Sequence, residues 1–495
     1  MWMKQNGITL VRADKSKAMV LMKRNTYDQL LSEHIKNTRC DIVQRDTVDK
    51  LQNRVKRFAT TKLAKRLEMR NIIVDAPDTP KLFAFTKIHK VGQQLRPVVD
   101  KARAPTHKME KFVHKLIMPY LEDYPYMLKD PVDLIDTLKK ITVTPKFLTV
   151  LDFKSLFPSI LLPPAFCAIR DLLLSILNNN TLHQQIFEMA HLLCYNSFFQ
   201  FKGSVYTQGR GIPMGSPISG DLCEMVVRIL EAKVLPHHLH NIILHKRYVD
   251  DIIILWKEIP DIKAFVDTMN NNTYGLTIEI EQAHQTNVHF LDIDIKVEEL
   301  VIHMAVYRKL GTKGIYIPVG SCDPPQYKVA PFKALIKRAH THTSTERALQ
   351  AELRLTQRIA AEHGYGKLIR KLLHEYQNTN QDLPQREERQ DMDKIVPVNY
   401  NPYIRRLYGE IARKNHIRIA YRRCALIFNI LTNGKDQPDK DRLSGVYSIP
   451  IIDRRSEEMD QADKELKESL KKLWPLQGEK VINKLVPTNE GNFFH

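Results

Sequence analysis

No C-x-x-C pair occurs anywhere in the 495 residues, and the six cysteines, Cys40, Cys167, Cys194, Cys223, Cys322 and Cys424, lie far apart. That spacing argues against a zinc knuckle and a disulfide scaffold, and suits a reducing compartment. No apolar run approaches the ~18 residues that a membrane span needs. The N-terminal MWMKQNGITLVRADKSK turns charged before a signal-peptide core could form. Internal repeats and long low-complexity segments are missing too. Acids are in short supply: 56 Asp plus Glu face 75 Lys plus Arg, a formal net charge of +19. The surplus points to a polyanionic partner, either nucleic acid or an anionic membrane surface. An apolar fraction of 43% excludes a disordered chain and supplies cores for two or three domains. These features describe a soluble, intracellular, basic protein.

The opening GITLVRADKSKAMVLMKR reads as two short apolar stretches around the turn 14–17. Its strand-like start, so close to Met1, leads to the expectation that an upstream segment is missing. Helical periodicity follows from about Tyr27 to Glu68, and Pro77 and Pro80 end it. Leu82–His89 (LFAFTKIH) then reads as a strand. FLTVLDF is a strand ending in an acid, and PPAFCAIRDLLLSILN behind it is a proline-led helix. Gly209–Gly220 is a Gly/Pro turn before a helix, DLCEMVVRILEAKVL. ILHKRY and IIILW are short strands flanking Asp250-Asp251. LTIEIEQ, HFLDIDIKV and LVIHMAVYRK alternate as three more. Pro331 to about Asn380 is helical and basic, and NQDLPQREERQDMDK separates the last hundred residues.

Adjacent acids are ordinarily only a turn. Asp has poor strand propensity, however, so two of them at the tip of an apolar hairpin need a reason. One reason is that a rigid sheet presents carboxylates to Mg²⁺, a hard cation that takes oxygen ligands. The hairpin alone leaves both readings open. Asp152 shifts the balance, because a second strand ending in an acid beside the hairpin brings three carboxylates together. Three converging carboxylates suit two-metal phosphoryl transfer.

At this point the sequence resembles the reverse-transcriptase family of right-hand polymerases. LDFKSLFPSI resembles its motif A, RGIPMGSPIS its motif B and YVDD its motif C, in the family's order. KIHK and QLRPVV are similar to the finger motifs that precede motif A. RADKSKAMVL, FAFTKIHK, FLDIDI, VYRKLGTKGIY and SCDPPQYKVAPFKALIKRA narrow the likeness to Penelope-like retroelement reverse transcriptases, over roughly residues 10 to 450. Elements of that kind carry more sequence ahead of the RADKSK-like stretch.

The resemblance implies an α+β right-hand polymerase with an antiparallel palm sheet and a helical, basic C-terminal region. Its expected parts are a basic, helical segment at 1–70, fingers and palm at 71–310, a thumb-like helical region at 311–390, and a linker with an appendage at 391–495. Asp152, Asp250 and Asp251 are implied as catalytic metal carboxylates, with the Phe153 carbonyl as a further oxygen. Asp152 and Asp250 are the ligands to both ions. The cofactor is two Mg²⁺, with Mn²⁺ as a substitute. Arg96 and Lys87 are implied as triphosphate contacts, and Lys90 as a further cation nearby. Phe157 is implied as the steric gate beside the sugar, and Met214 and Gly215 as the loop against the nascent base pair. Taken alone, Phe157 is an ordinary core aromatic. Phe290, Leu291 and Asp292 are the implied primer grip, with Asp292 and Asp294 on one strand face as a solvated edge. Lys333, Lys337 and Arg338 fit a thumb that tracks phosphates. GLTIEIEQ holds no lysine, so the general acid after motif C has no candidate.

LSGVYSI at Leu443–Ile449 looks like the start of a GIY-YIG endonuclease, but no second half follows, so the nuclease reads as truncated or degenerate. Tyr447 by itself is a strand tyrosine, and RRSEEMDQADKELKESLKKLW is a charged helix. His237, His238, His240, His340 and His342 read as solvated loops rather than metal ligands. The expected activity is RNA-directed DNA synthesis for a retroelement, with RNA template, DNA primer and dNTPs as partners and no membrane. The enzymatic alternative is an RNA-templated RNA polymerase, set apart by ribonucleotide use. The other is a catalytically impaired nucleic-acid-binding remnant. The expected location is the nucleus, with the cytoplasm as the alternative.

Overall fold

The computed structural model describes residues 5–14, 19–43, 47–61, 64–65, 71–87, 94–177, 180–213, 215–309, 314, 316–379 and 395–422. The chain divides into Met1–Asp436 and Gln437–His495, and all described residues belong to the first unit. The opening apolar stretches pair as an antiparallel hairpin, β1 (Ile8–Arg12) with β2 (Met19–Lys23). The stretch expected as one run of helix from Tyr27 is instead two helices, Arg24–Asn37 and Thr47–Ala59, parted by the short strand β3 (Ile42–Val43). The break falls at Arg39, whose backbone is left-handed at φ 52°, a conformation that ends a helix. β4 (Lys81–Lys87) and β5 (Gln94–Asp100) form the next hairpin, with Phe85 opposite Arg96.

β6 (Phe147–Phe153) leads into the short helix Leu156–Ser159 and the longer Leu162–Ile176, with prolines in its first turn. After the helix Asn180–Tyr195, β7 (Phe198–Phe201) and β8 (Ser204–Thr207) return to the first sheet, in the order β3-β8-β7-β4-β5. The loop 209–218 then feeds the helix Ser219–Val234. β9 (Ile242–Tyr248), β10 (Asp251–Trp256) and β11 (Ile278–His284) join β6 in an antiparallel sheet of order β11-β6-β10-β9.

The two central strands, FLTVLDF and DIIILW, are nearly continuous apolar runs because both faces are covered. Leu151, Phe153, Ile252 and Ile254 pack with the helices, including Ala165, Ile169, Val226 and Leu230. Leu148, Val150, Ile253 and Leu255 pack on the other side with Leu134, Val288 and Ile293. That double burial gives the acids at the strand ends a rigid base.

β12 (Asn287–Phe290), β13 (Ile293–Glu298) and β14 (Val301–Val306) form a meander. HFLDIDIKV is therefore not a single strand. Leu291 is left-handed at φ 54° and turns the chain, so Asp292 lies in the turn while Asp294 lies in β13. The two acids do not share a strand face. Three helices follow, Pro325–His342, Glu346–Glu362 and Gly366–Thr379, around Phe332, Ile336, Ala360 and Ile369. The first starts ahead of Pro331, which sits inside it.

β15 (Ile395–Asn399), a helix Arg405–Lys414 and β16 (Arg418–Arg422) build a small unit with the two strands parallel. The stretch reads as linker in sequence because Pro397 interrupts one strand and no residue of the helix is buried. Residues 443–449 and the charged stretch from Arg454 lie outside the described residues.

Candidate active site

The β9–β10 hairpin closes through Val249 and Asp250, with Tyr248 and Asp251 paired across it. Val249 is left-handed at φ 56° and exposed. A β-branched residue there carries strain of about 1–3 kcal/mol. The hairpin tip is tied to β6, because the Phe153 N–H donates to the Asp250 carbonyl at 3.0 Å. Asp251 and Asp152 are direct cross-strand partners. All three acids are half-buried. On the other side of β6, Glu279 pairs with Asp152, and the Lys154 ammonium stands 3.6 Å from Glu279.

The backbone register thus gathers Asp152, Asp250, Asp251 and Glu279 at one end of the sheet. Among the described residues no three acidic, His or Cys side chains are already grouped in ligand geometry, so register rather than side-chain placement brings these acids together. Like charges directly opposite across strands are destabilising. A divalent cation between them removes that cost, and carboxylates with nearby backbone carbonyls are the hard oxygen set that Mg²⁺ takes. The donor chemistry fits the ion. Glu279 and Lys154 were missed from sequence; the signal was GLTIEIEQ, which places an acid on the strand beside β6.

Beneath the tip lies a buried charge network that was also missed. Arg247, 1% exposed, donates from Nε to Glu231 at 2.8 Å and from Nη1 and Nη2 to Glu224 at 2.7 and 2.9 Å. Nη1 also donates to the Val249 carbonyl at 3.3 Å. Burial alone would lower the Arg247 pKa, but Glu231 and Glu224 outweigh it and hold the guanidinium above its ordinary range. Burial likewise pushes the Glu224 carboxyl up, yet hydrogen bonds from Arg247 and Arg228 bring it below its usual value. The legible signal was Glu224 and Glu231, seven apart with Arg228 between them and so on one face of a largely apolar helix.

Phe157 stands on the Leu156–Ser159 helix and lines a cavity of about 250 Å³ with Leu156, Asp221, Cys223, Glu224 and Val249. Burial pushes the Asp221 carboxyl up to about 6, against the His114 ring hydrogen-bonded to it at 2.8 Å. Gly211 and Gly215 are left-handed at φ 81° and 85°. A Cβ on Gly215 would stand 2.2 Å from the Val99 carbonyl oxygen. The β5 backbone by itself therefore demands glycine at this position. Met214 and Lys90 lie outside the described residues.

Arg96 on β5 is half-exposed and pairs with Asp14 at 3.4 Å, while Lys87 ends the adjacent strand β4. Of the expected primer grip, Phe290 is buried in the core and Leu291 forms the turn. Asp292 faces Arg338 at 3.4 Å, so these two engage each other across the meander and the helix Pro325–His342. Lys333 and Lys337 are exposed. The His238 ring packs on Phe265 and the His340 ring on Tyr376.

Acids paired across two central antiparallel strands, on the sheet that the helices back, form an arrangement suited to metal-assisted phosphoryl transfer. Residues 88–296 match the family described as Reverse transcriptase (RNA-dependent DNA polymerase), so the chain contains a reverse transcriptase domain. Residues 315–374, the three-helix region, match the family described as Animal helix-turn-helix domain. The fold is the right-hand polymerase fold. It is similar to telomerase from Candida albicans in complex with a TWJ fragment of telomeric RNA, with TM-score 0.52 and 13% identity, over 75% of this chain and 64% of that one. A weaker likeness, on which nothing rests, is to the RNA-dependent RNA polymerase of a human picorbirnavirus, with TM-score 0.43 and 12% identity, over 73% and 78% of the two chains. Over 43 residues the chain is 54% identical to Voltage-dependent calcium channel type A subunit alpha-1 of Drosophila melanogaster. That stretch is 9% of this chain and 2% of the other, too short to bear on function.

Proposed function

We propose that this chain is the RNA-directed DNA polymerase of a Penelope-like retroelement, extending a DNA primer with dNTPs along an RNA template. The observation that carries the reading is the cross-strand pairing of Asp152 with Asp251, beside Asp250, inside the matched domain. Asp152, Asp250, Asp251 and the Phe153 carbonyl would hold two Mg²⁺, which activate the primer 3′-hydroxyl and neutralise the departing pyrophosphate. Mn²⁺ would substitute. Arg96 and Lys87, on one hairpin, contact the triphosphate; a guanidinium fork suits phosphate oxygens. Phe157 fills the space of a ribose 2′-hydroxyl. Lys333 and Lys337, exposed along one helix, track the duplex backbone. A retroelement enzyme of this kind works where its target DNA is, in the nucleus.

The test is primer extension on poly(rA)/oligo(dT), with Mg²⁺ against Mn²⁺, by the wild type and Asp250→Asn. Extension is expected in the wild type and lost in the variant, with primer–template affinity little changed. More than a few per cent residual extension in Asp250→Asn overturns the assignment.

A further inference from the structure

We infer that the β15–β16 unit is a docking platform for single-stranded nucleic acid, distinct from the aspartate site. Side chains alternate across the parallel pair. Val396, Val398, Ile419 and Tyr421 are the partly covered set, and the Tyr421 ring approaches Tyr408 of the helix Arg405–Lys414 at 6.4 Å. The helix therefore covers that face. The opposite face presents Ile395, Pro397, Asn399, Arg418, Ala420 and Arg422, every one of them exposed.

This open face has two parts with different chemistry. Its floor, Ile395, Pro397 and Ala420, is low and apolar, and Ile395 is 56% exposed. Its sides are guanidinium groups. Arg418 and Arg422 lie four residues apart on one strand, ~13 Å at the strand rise, so each can hold a different phosphate. At the Asn399–Arg422 end the following loop carries Tyr403, 75% exposed. The unit holds six Lys and Arg against the single Glu410. It is anchored to the three-helix region, because the Tyr327 hydroxyl donates to the Tyr421 carbonyl at 2.6 Å.

The charge selects a polyanion. The apolar floor, the arginine planes and the exposed ring select unpaired bases, which stack on such groups. A duplex, with its bases turned inward, meets only the arginines. Resting on the proposed function, the platform suits an unpaired stretch of the RNA template.

The experiment uses the full chain without nucleotides or primer, so it does not depend on catalysis. A 4-thiouridine-containing oligouridylate is photocrosslinked and the adducts are located by mass spectrometry, and affinity is measured against KCl concentration. Adducts are expected within 395–403 and 418–422. Arg418→Glu with Arg422→Glu should abolish them and lower the log–log salt slope by about 1.4, the value for two single-strand phosphate contacts. Arg405→Glu with Arg406→Glu, the same charge change on the helix, should leave these adducts in place. The milder Arg418→Gln with Arg422→Gln gives the same direction should the Glu pair disturb folding. Absence of adducts from this face, equal effects of the two Glu pairs, or equal competition by an acidic peptide overturns the inference.

Discussion

At Phe157 two roles compete for one side chain, and they predict different losses. A ring beside the nucleotide sugar leaves no room for a 2′-hydroxyl. Phe157→Val should then raise the ratio of rNTP to dNTP incorporation with little change in melting temperature. Loss of a core phenylalanine instead costs ~3–5 kcal/mol and lowers activity on both sugars alike. The residue is only partly buried and faces the cavity beside Val249, which favours the first outcome. Val249 poses a second question at this scale. Its left-handed backbone suits glycine, as the first central position of a two-residue hairpin turn commonly does. Val249→Gly should therefore raise stability by about 1 kcal/mol, read as a higher denaturation midpoint. A lower midpoint would mean that the valine side chain contributes more by packing than its backbone costs.

Among the elements, the β9–β10 hairpin depends on the Ser219–Val234 helix. The guanidinium of Arg247 joins two helix carboxylates to the carbonyl of the strained turn residue. Arg247→Met leaves Glu224 and Glu231 without that partner and should cost about 3–5 kcal/mol. Adding Glu224→Gln and Glu231→Leu removes the stranded charges and should restore much of the stability. Extension should stay low in the triple variant, because the turn still lacks its donor. Full recovery of both would make the network purely structural.

This scale also separates what sequence reveals from what it hides. Strands ending in acids and the proline-led helix behind β6 were legible, because apolar runs and turn residues act locally. The Arg247 network was not, since its members lie 16 and 23 positions apart in the chain and meet only when the sheet packs on the helix. The Leu291 turn was hidden because leucine gives no turn signal. The β15–β16 unit was hidden because Pro397 interrupts one strand, Ile395 and Ala420 put apolar residues on the open face as well, and no residue of its helix is buried. Of the candidate site, the three aspartates were read from a strand end and a hairpin tip together with the motif likeness, whereas Glu279 and Lys154 became visible only through the register of β11 on β6.

For the molecule as a whole, stability against pH carries the mark of one buried acid. Burial raises the Asp221 carboxyl from its ordinary 3.8 to about 6, in spite of the His114 hydrogen bond. Between those two values the folded chain binds more protons at this site than the unfolded chain does. The Asp221 contribution to stability is therefore full below pH 3.8, falls as pH rises, and is lost above about 6. The span amounts to a difference on the order of 3 kcal/mol. Carboxyls held low, such as Glu224, act the other way and lose their contribution as pH falls, so the raw curve mixes both. A difference measurement isolates Asp221. Asp221→Asn keeps the side-chain shape and cannot ionise, so its advantage over the wild type should be near zero at the acid end. The advantage should grow up to about pH 6 and stay level above it, as read from urea midpoints at matched slopes. An advantage that does not change with pH would mean that His114 keeps the carboxylate ionised in the fold, and that the Asp221 side of the cavity beside Phe157 carries a negative charge throughout.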